Sequence, residues 1–254
     1  MVSCENHPAV RSRATGGAQA PGENADSEAA RAFEERRFSG PIGQLVAAEQ
    51  MRVLANMIGR IHERRILDVG TGAGRVAAML AGGGAHVTGI DTSERMLDAA
   101  RRRANAQLVD VTFLRADAHA LEFESRSFDV VVCVGVLLGA RDWRRCLTES
   151  CRIADRLVIF DYPSATSVAL VHSTIRRLFR ARPYRVLKRA AVAETLAASG
   201  FRVRSTHRQF MLPMWFHRGM RSRRMSSRIE TAFDRAGLRR RFGTPVTICA
   251  ERAG

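Results

Sequence analysis

The stretch Ile66-Leu67-Asp68-Val69-Gly70-Thr71-Gly72-Ala73-Gly74-Arg75 decides the fold. Ile66 to Val69 reads as a short buried strand carrying one carboxylate. Glycine then recurs at alternate positions, and a helical pattern runs from Arg75 to Ala81 until Gly82-Gly83-Gly84 stops it. Alternate glycines between a strand and a helix permit a tight turn and let a ligand approach the backbone closely. A dinucleotide loop needs Gly-x-Gly-x-x-Gly/Ala, so that a pyrophosphate meets the helix N-terminus, and Gly72, Gly74 and Ala77 satisfy this loosely. Asp68, two residues before the first glycine, repels a pyrophosphate and suits a ligand with an ammonium group and no phosphate.

Outward from this loop, strand and helix patterns alternate. Strands are predicted at Arg65–Val69, His86–Ile90, Val111–Arg115, Phe128–Val134 and Arg156–Phe160. Helices are predicted at Glu94–Ala104, with Thr92 and Ser93 as potential caps, and at Asp142–Ala154. Strands separated by helices of this length imply right-handed crossovers and a parallel sheet covered on both faces. Before the loop, apolar residues at helical spacing (Ala30, Phe33, Phe38, then Leu45, Met51, Leu54, Ile58 and Ile61) predict two helices broken at Ser39-Gly40-Pro41. After Asp161 the patterns predict a basic amphipathic helix over Ser167–Ala181 and a helix over Arg189–Ser199. An outer strand over Phe201–Phe210, a helix over Ser222–Ala236 and a last strand over Pro245–Ala250 follow. The expected organisation is a disordered tail over 1–26 and a single domain over 27–254. That domain divides into a helical cap (27–64), a core (65–161), inserted helices (162–200) and C-terminal strands with a helix (201–254).

With 254 residues, 46% apolar and 26% charged, the chain has the composition of a globular protein, which excludes fibrous architecture and wholesale disorder. Val130 to Ala140, the longest uncharged apolar stretch, is about half of what a bilayer-spanning helix needs. Met1 to Ala30 is polar and small, so no signal segment is expected and the reading is cytoplasmic. The five cysteines, Cys4, Cys133, Cys146, Cys151 and Cys249, include no Cys-x-x-Cys pair, and no histidine completes a metal site; reduced thiols are expected.

Charge is unevenly distributed. Residues 1–138 carry 16 basic and 17 acidic side chains, whereas 139–254 carry 25 basic and 8 acidic. A positive C-terminal half suits an anionic partner: nucleic acid, a phospholipid surface or an acidic substrate. Yet Lys188 is the sole lysine against forty arginines, a bias that reads as chain-wide composition rather than local selection.

At the level of motifs the chain resembles the class I S-adenosylmethionine-dependent methyltransferases. Their first motif, an acidic residue followed by Gly-x-Gly-x-Gly, is matched by Asp68, Gly70, Gly72 and Gly74. The resemblance continues in order through Ile90-Asp91, Arg115-Ala116-Asp117-Ala118 and Phe128-Asp129-Val130-Val131, covering about Arg65 to Asp161. It implies a Rossmann-like, doubly wound α/β fold with a mostly parallel seven-stranded sheet, and S-adenosyl-L-methionine as cofactor. It further implies that Asp68 holds the cofactor's ammonium and that Gly70, Thr71, Gly72 and Gly74 form the loop against it. Asp91, with Thr92 after it, would take the ribose hydroxyls, Asp117 the adenine amino group, the Ala118 amide a ring nitrogen and Met96 the adenine face. Val134 and Gly135 would border the methyl-transfer site. Taken singly, Asp91 and Asp117 read as turn or cap residues and Met96 as core; joint placement at the carboxyl ends of parallel strands makes them a site.

The expected acceptor is a small, lipophilic molecule methylated on oxygen or carbon, as in the ubiquinone and menaquinone members of the family. Asp161, Tyr162, His172, Tyr184, His207 and His217 are the candidate bases, none in a motif that singles it out. Phe210-Met211-Leu212-Pro213-Met214-Trp215-Phe216, flanked by Arg204, Arg208, Arg218, Arg221, Arg223 and Arg224, reads as an apolar entrance with peripheral membrane contact, or as a cap packed on the core. An RNA methyltransferase would use the basic half, but Cys133-Val134-Gly135-Val136 stands where amino-methylating nucleic-acid enzymes carry Asp/Asn-Pro-Pro-aromatic. An NAD-dependent oxidoreductase and a cofactor-binding protein without turnover are the remaining alternatives.

Overall fold

The computed structural model describes residues 40–165, 186–212, 216–217 and 222–254, apart from the side chains of 41 and 223. The expected tail over 1–26, the first cap helix, the basic helix over Ser167–Ala181, and His172 and Tyr184 lie outside the described residues.

Helix α1 (Gly40–Ile58) precedes β1 (Arg65–Val69), α2 (Arg75–Gly82), β2 (His86–Asp91), α3 (Glu94–Ala106), β3 (Val111–Arg115) and β4 (Phe128–Cys133). Then come α4 (Trp143–Ile153), β5 (Ala154–Tyr162), α5 (Arg189–Ala198), β6 (Phe201–Phe210), α6 (Arg223–Arg235), α7 (Leu238–Phe242) and β7 (Thr244–Arg252). The strands form one seven-stranded sheet in the order β3-β2-β1-β4-β5-β7-β6. β1 to β5 pair in parallel, and β7 runs antiparallel to both β5 and β6.

Side-chain alternation in the central strands explains the two covered faces. Leu67, Val69, Val131, Cys133, Val158 and Phe160 join one buried cluster with Cys146, Leu147 and Cys151 of α4. Ile66, Val130, Val132, Leu157 and Ile159 join the other with Leu54 of α1, Leu80 of α2 and Leu97 of α3. Removing a fully buried leucine such as Leu67 would cost about 2–5 kcal/mol. α4 owes its place to one apolar stripe, Trp143, Cys146, Leu147, Ser150 and Cys151, and to Asp142, whose carboxylate accepts from the Arg144 and Arg145 amides at its start. α3 starts on Ser93, whose hydroxyl accepts from the Met96 amide.

Cys133, Cys146, Cys151 and Cys249 are buried and unpaired. Burial pushes the Cys146 thiol up to about 11 and the Cys151 thiol up to about 12, which leaves both inert. No helix among the described residues is long and apolar enough to cross a membrane.

Candidate functional site

Parallel pairing brings the carboxyl ends of β1 to β4 side by side, and the loop 70–74 leaves β1 at that end. Gly70, Gly72 and Gly74 all adopt left-handed φ values, +65°, +55° and +74°. Space is short as well. A Cβ on Gly70 would overlap the Val136 side chain, and one on Gly74 would lie 2.8 Å from the Ala100 Cβ. The loop therefore packs directly on the residues after β4 on one side and on α3 on the other.

Asp68 is buried below this loop, 2% exposed. The Thr71 hydroxyl donates to its Oδ2 at 2.7 Å, and the Thr71 amide donates to the Ile90 carbonyl at 2.8 Å. Burial pushes the Asp68 pKa up to about 7, against the Thr71 hydrogen bond, the Arg75 charge and the Ala77 amide. Gly89 stands opposite Asp68 in the register, and a Cβ there would meet the Phe113 ring at 2.8 Å and the Thr71 hydroxyl at 3.0 Å. The sequence reading passed over Gly89; its signal is a glycine in the middle of an otherwise apolar strand.

Asp91 ends β2. Its Oδ2 accepts from the Gly72 amide at 3.0 Å and its Oδ1 from the Ser93 amide at 2.9 Å. Burial raises its pKa, opposed by the amides of Ser93, Gly72 and Thr92. Thr92 is exposed, and its carbonyl accepts from Arg115 Nε at 3.1 Å. Met96 is buried in the first turn of α3 yet belongs to neither core cluster.

Asp117 stands two residues beyond β3, close to Asp91 because the Ala116 amide donates to the Asp91 carbonyl at 3.1 Å. The Asp117 Oδ1 takes both the His119 amide, at 2.9 Å, and the His119 ring Nδ1, at 2.6 Å. Nε2 of that ring accepts from the Asp142 amide at 3.3 Å, which assigns the proton to Nδ1. Burial alone would raise the Asp117 pKa, but the His119 amide and ring and the Arg141 charge leave it below the ordinary value. Its second oxygen takes no such contact among the described residues. Ala118 is half-buried against the first core cluster.

After β4, Val134 is half-buried on the second cluster, and Gly135 turns at φ +81°. The Gly135 amide donates to Asp161 Oδ1 at 2.6 Å, so this candidate base holds the backbone beyond β4. His207 Nε2 stands 3.4 Å from Glu49 of α1, and that contact, then the Arg52 hydrogen bonds, outweighs burial and holds Glu49 down at about 2. His217 is buried against Glu230 at 3.0 Å, and Glu230 also accepts the Met211 and Leu212 amides. Of the apolar stretch Phe210 to Phe216, residues 213–215 lie outside the described residues. Phe210 is buried, Met211 and Leu212 are half-buried, and Phe216 is 37% exposed. Arg204 lies near Glu251, and Arg224 is exposed; Arg218, Arg221 and the Arg223 side chain lie outside the described residues.

Residues 66–156 match a family model described as a methyltransferase domain. The demethylmenaquinone methyltransferase of Thermus thermophilus is 40% identical over 105 residues, 39% of this chain and 48% of that protein. The ubiquinone biosynthesis O-methyltransferase of Coxiella burnetii is 30% identical over 124 residues, 49% of each. The chain thus spans about half the length of the curated relatives it matches. Among solved structures, the magnesium protoporphyrin IX methyltransferase of Synechocystis PCC 6803 with bound SAM aligns at a TM-score of 0.62. It covers 93% of this chain and 100% of that one at 19% identity, a likeness of fold.

Proposed function

We propose, from the premise that residues 66–156 form a class I S-adenosylmethionine-dependent methyltransferase domain, that this protein methylates a small lipophilic acceptor. One observation carries the reading: a left-handed glycine loop, fixed by Asp91, lies directly over a buried Asp68 at the carboxyl ends of parallel strands. The fold puts ligands at that edge.

The residues present fit the cofactor. Gly70, Gly72 and Gly74 hold left-handed φ values that side chains rarely adopt, so the loop presents bare backbone at this edge of the sheet. Asp68 supplies a carboxylate for an ammonium group, directly or through water. Asp91 keeps a lone pair on each oxygen beyond the two amides it accepts, enough for two ribose hydroxyls. Asp117 retains Oδ2 for an exocyclic amine, the Ala118 amide lies beside it, and Met96 presents an apolar wall for the adenine. Thr71 and Thr92 set the backbone of the two turns. When bound, the cofactor supplies an electrophilic methyl group on a sulfonium.

This chain's own contribution is then mostly positioning, which can supply much of the acceleration. Asp161 fixes Gly135 and with it the backbone that borders the acceptor. The relatives named for demethylmenaquinone and ubiquinone biosynthesis support a quinone-like acceptor. Asp68 beneath the loop argues against a dinucleotide and so against the oxidoreductase alternative.

The test is transfer of a tritiated methyl from S-adenosylmethionine to demethylmenaquinone and to fractionated lipid and aqueous extracts. Label in a lipid-soluble product is expected. Label in RNA alone, or in nothing while S-adenosylhomocysteine still binds, would replace this reading with one of its alternatives.

A further inference from the structure

A cavity of about 520 Å³ opens where β5, β7 and β6 meet, at the carboxyl end of the parallel strands. Tyr162, the last residue of β5, lines it with Arg189, Arg208, Asp234, Arg239 and Arg240. Register explains the gathering: Tyr162 pairs with Val246, and Val246 with Arg208, so their side chains share one face of the sheet. Asp161 points to the opposite face one residue earlier, where it holds Gly135. The cavity and the cofactor site therefore adjoin the same end of β5.

Charge in this cavity is not balanced. Four arginines face one aspartate, and Asp234 is engaged by Arg239 through two contacts, 3.1 and 3.0 Å. Arg240 reaches it only at 3.9 Å and is mostly exposed. Arg208 is half-buried and donates only to the Gly243 carbonyl, at 3.3 Å, among the described residues. Burial, with the Arg189 charge adding to it, lowers the pKa of Arg208. Arginine is plentiful in this chain, so its presence alone singles out nothing; convergence of these side chains on one cavity does.

Two further features point to an anion. The Tyr162 side chain is 2% exposed and its hydroxyl has no hydrogen bond among the described residues. Helix α5 begins at Arg189 on the cavity wall, and its N-cap, Lys188, gives no side-chain hydrogen bond to the first amides. The positive end of a ten-residue helix thus adds to the arginines.

We propose that this cavity binds an oxyanion, a carboxylate or phosphate that the methyl acceptor carries beside its lipophilic part, through Arg189, Arg208 and the Tyr162 hydroxyl. The proposal deepens the methyltransferase reading and rests on it. Planar guanidinium groups suit bidentate contact with such oxygens. A cavity of this size also leaves room for part of the molecule that carries the anion.

The experiment is calorimetric titration of inorganic pyrophosphate and of benzoate into the full chain, with S-adenosylhomocysteine titrated separately. Vesicles of phosphatidylcholine with and without phosphatidic acid form the second arm. Pyrophosphate or benzoate is expected to bind at one site, more weakly at higher salt. Arg208→Gln and Arg189→Gln should each weaken that binding about tenfold or more, and Arg224→Gln should leave it unchanged. Arg189 is exposed, so its variant keeps the test valid if Arg208→Gln unfolds. Absence of binding by both soluble anions, or equal binding by all variants, overturns the proposal. So does vesicle binding that soluble anions do not compete away, which would assign the arginines to a lipid surface. Failure of S-adenosylhomocysteine to bind would instead count against the cofactor site.

Discussion

The Gly72 amide donates to Asp91 Oδ2 at 3.0 Å, tying the loop after β1 to the end of β2. Asp91 therefore has two duties: it shapes the glycine loop and offers its remaining lone pairs to a ribose. Substitutions separate them. Asp91→Asn keeps one acceptor oxygen and should weaken S-adenosylhomocysteine binding by about 1.5–3 kcal/mol, the scale of hydrogen bonds to a charged group. Asp91→Ala also frees the Gly72 and Ser93 amides and should weaken binding further. Calorimetry that returned wild-type affinity for both would remove Asp91 from the ribose.

Asp68 makes cofactor binding depend on pH. In the ligand-free protein its pKa is near 7, raised chiefly by burial. An ammonium placed against it favours the carboxylate, so binding near neutrality should release a proton. Affinity is expected to rise between about pH 5.5 and 7.5, and calorimetric heats to vary with the ionisation enthalpy of the buffer. Ligand-free stability moves the other way. A folded-state pKa above the unfolded value gives a contribution present below about pH 4 and lost as pH rises through about 7. Asp68→Asn should flatten both dependences.

Gly74→Ala tests the loop's geometry. The new methyl would sit 2.8 Å from the Ala100 Cβ and 3.0 Å from its Cα, at a φ of +74°. Left-handed strain and overpacking together should cost about 2–4 kcal/mol in urea unfolding. A loss under about 0.5 kcal/mol, the size of a neutral surface change, would contradict the packing described.

Glu49 and His207 tie α1 to β6. The close His207 ring, the largest effect, and hydrogen bonding from Arg52 hold the Glu49 pKa down at about 2. A depressed carboxylate stabilises the fold above its unfolded pKa and loses that contribution as pH falls through its folded one, here between about 4.5 and 2. Glu49→Gln should cost about 1 kcal/mol at pH 7, since Arg52 is exposed and the pair is partly screened, and should flatten the acid limb of the stability curve.

Much of this fold is legible because its signals are local. β1, β3 and β6 begin and end where alternation and glycine punctuation place them. β4 stops at Cys133 rather than Val134 because the following backbone turns, and Asp161 takes the Gly135 amide. β5 begins at Ala154, directly on the helix before it, so a helical pattern masks its first two residues. α7, Leu238-Arg239-Arg240-Arg241-Phe242, is five residues long and buries none of them, so its single i,i+4 apolar pair leaves no periodic trace. At the site, Asp68, Asp91 and Asp117 can be found from motif spacing. Their distant partners cannot: Gly89 clearing Thr71, and Gly135 on Asp161, depend on chain segments that meet only in three dimensions.

A crystal structure of the chain grown with S-adenosylhomocysteine puts the central claim to its most direct test. The expected result is one molecule with its amino group at Asp68, its ribose hydroxyls at Asp91 and its adenine amine at Asp117. Density for that molecule elsewhere, or a glycine loop that excludes it while NADH occupies the same edge of the sheet, would contradict it.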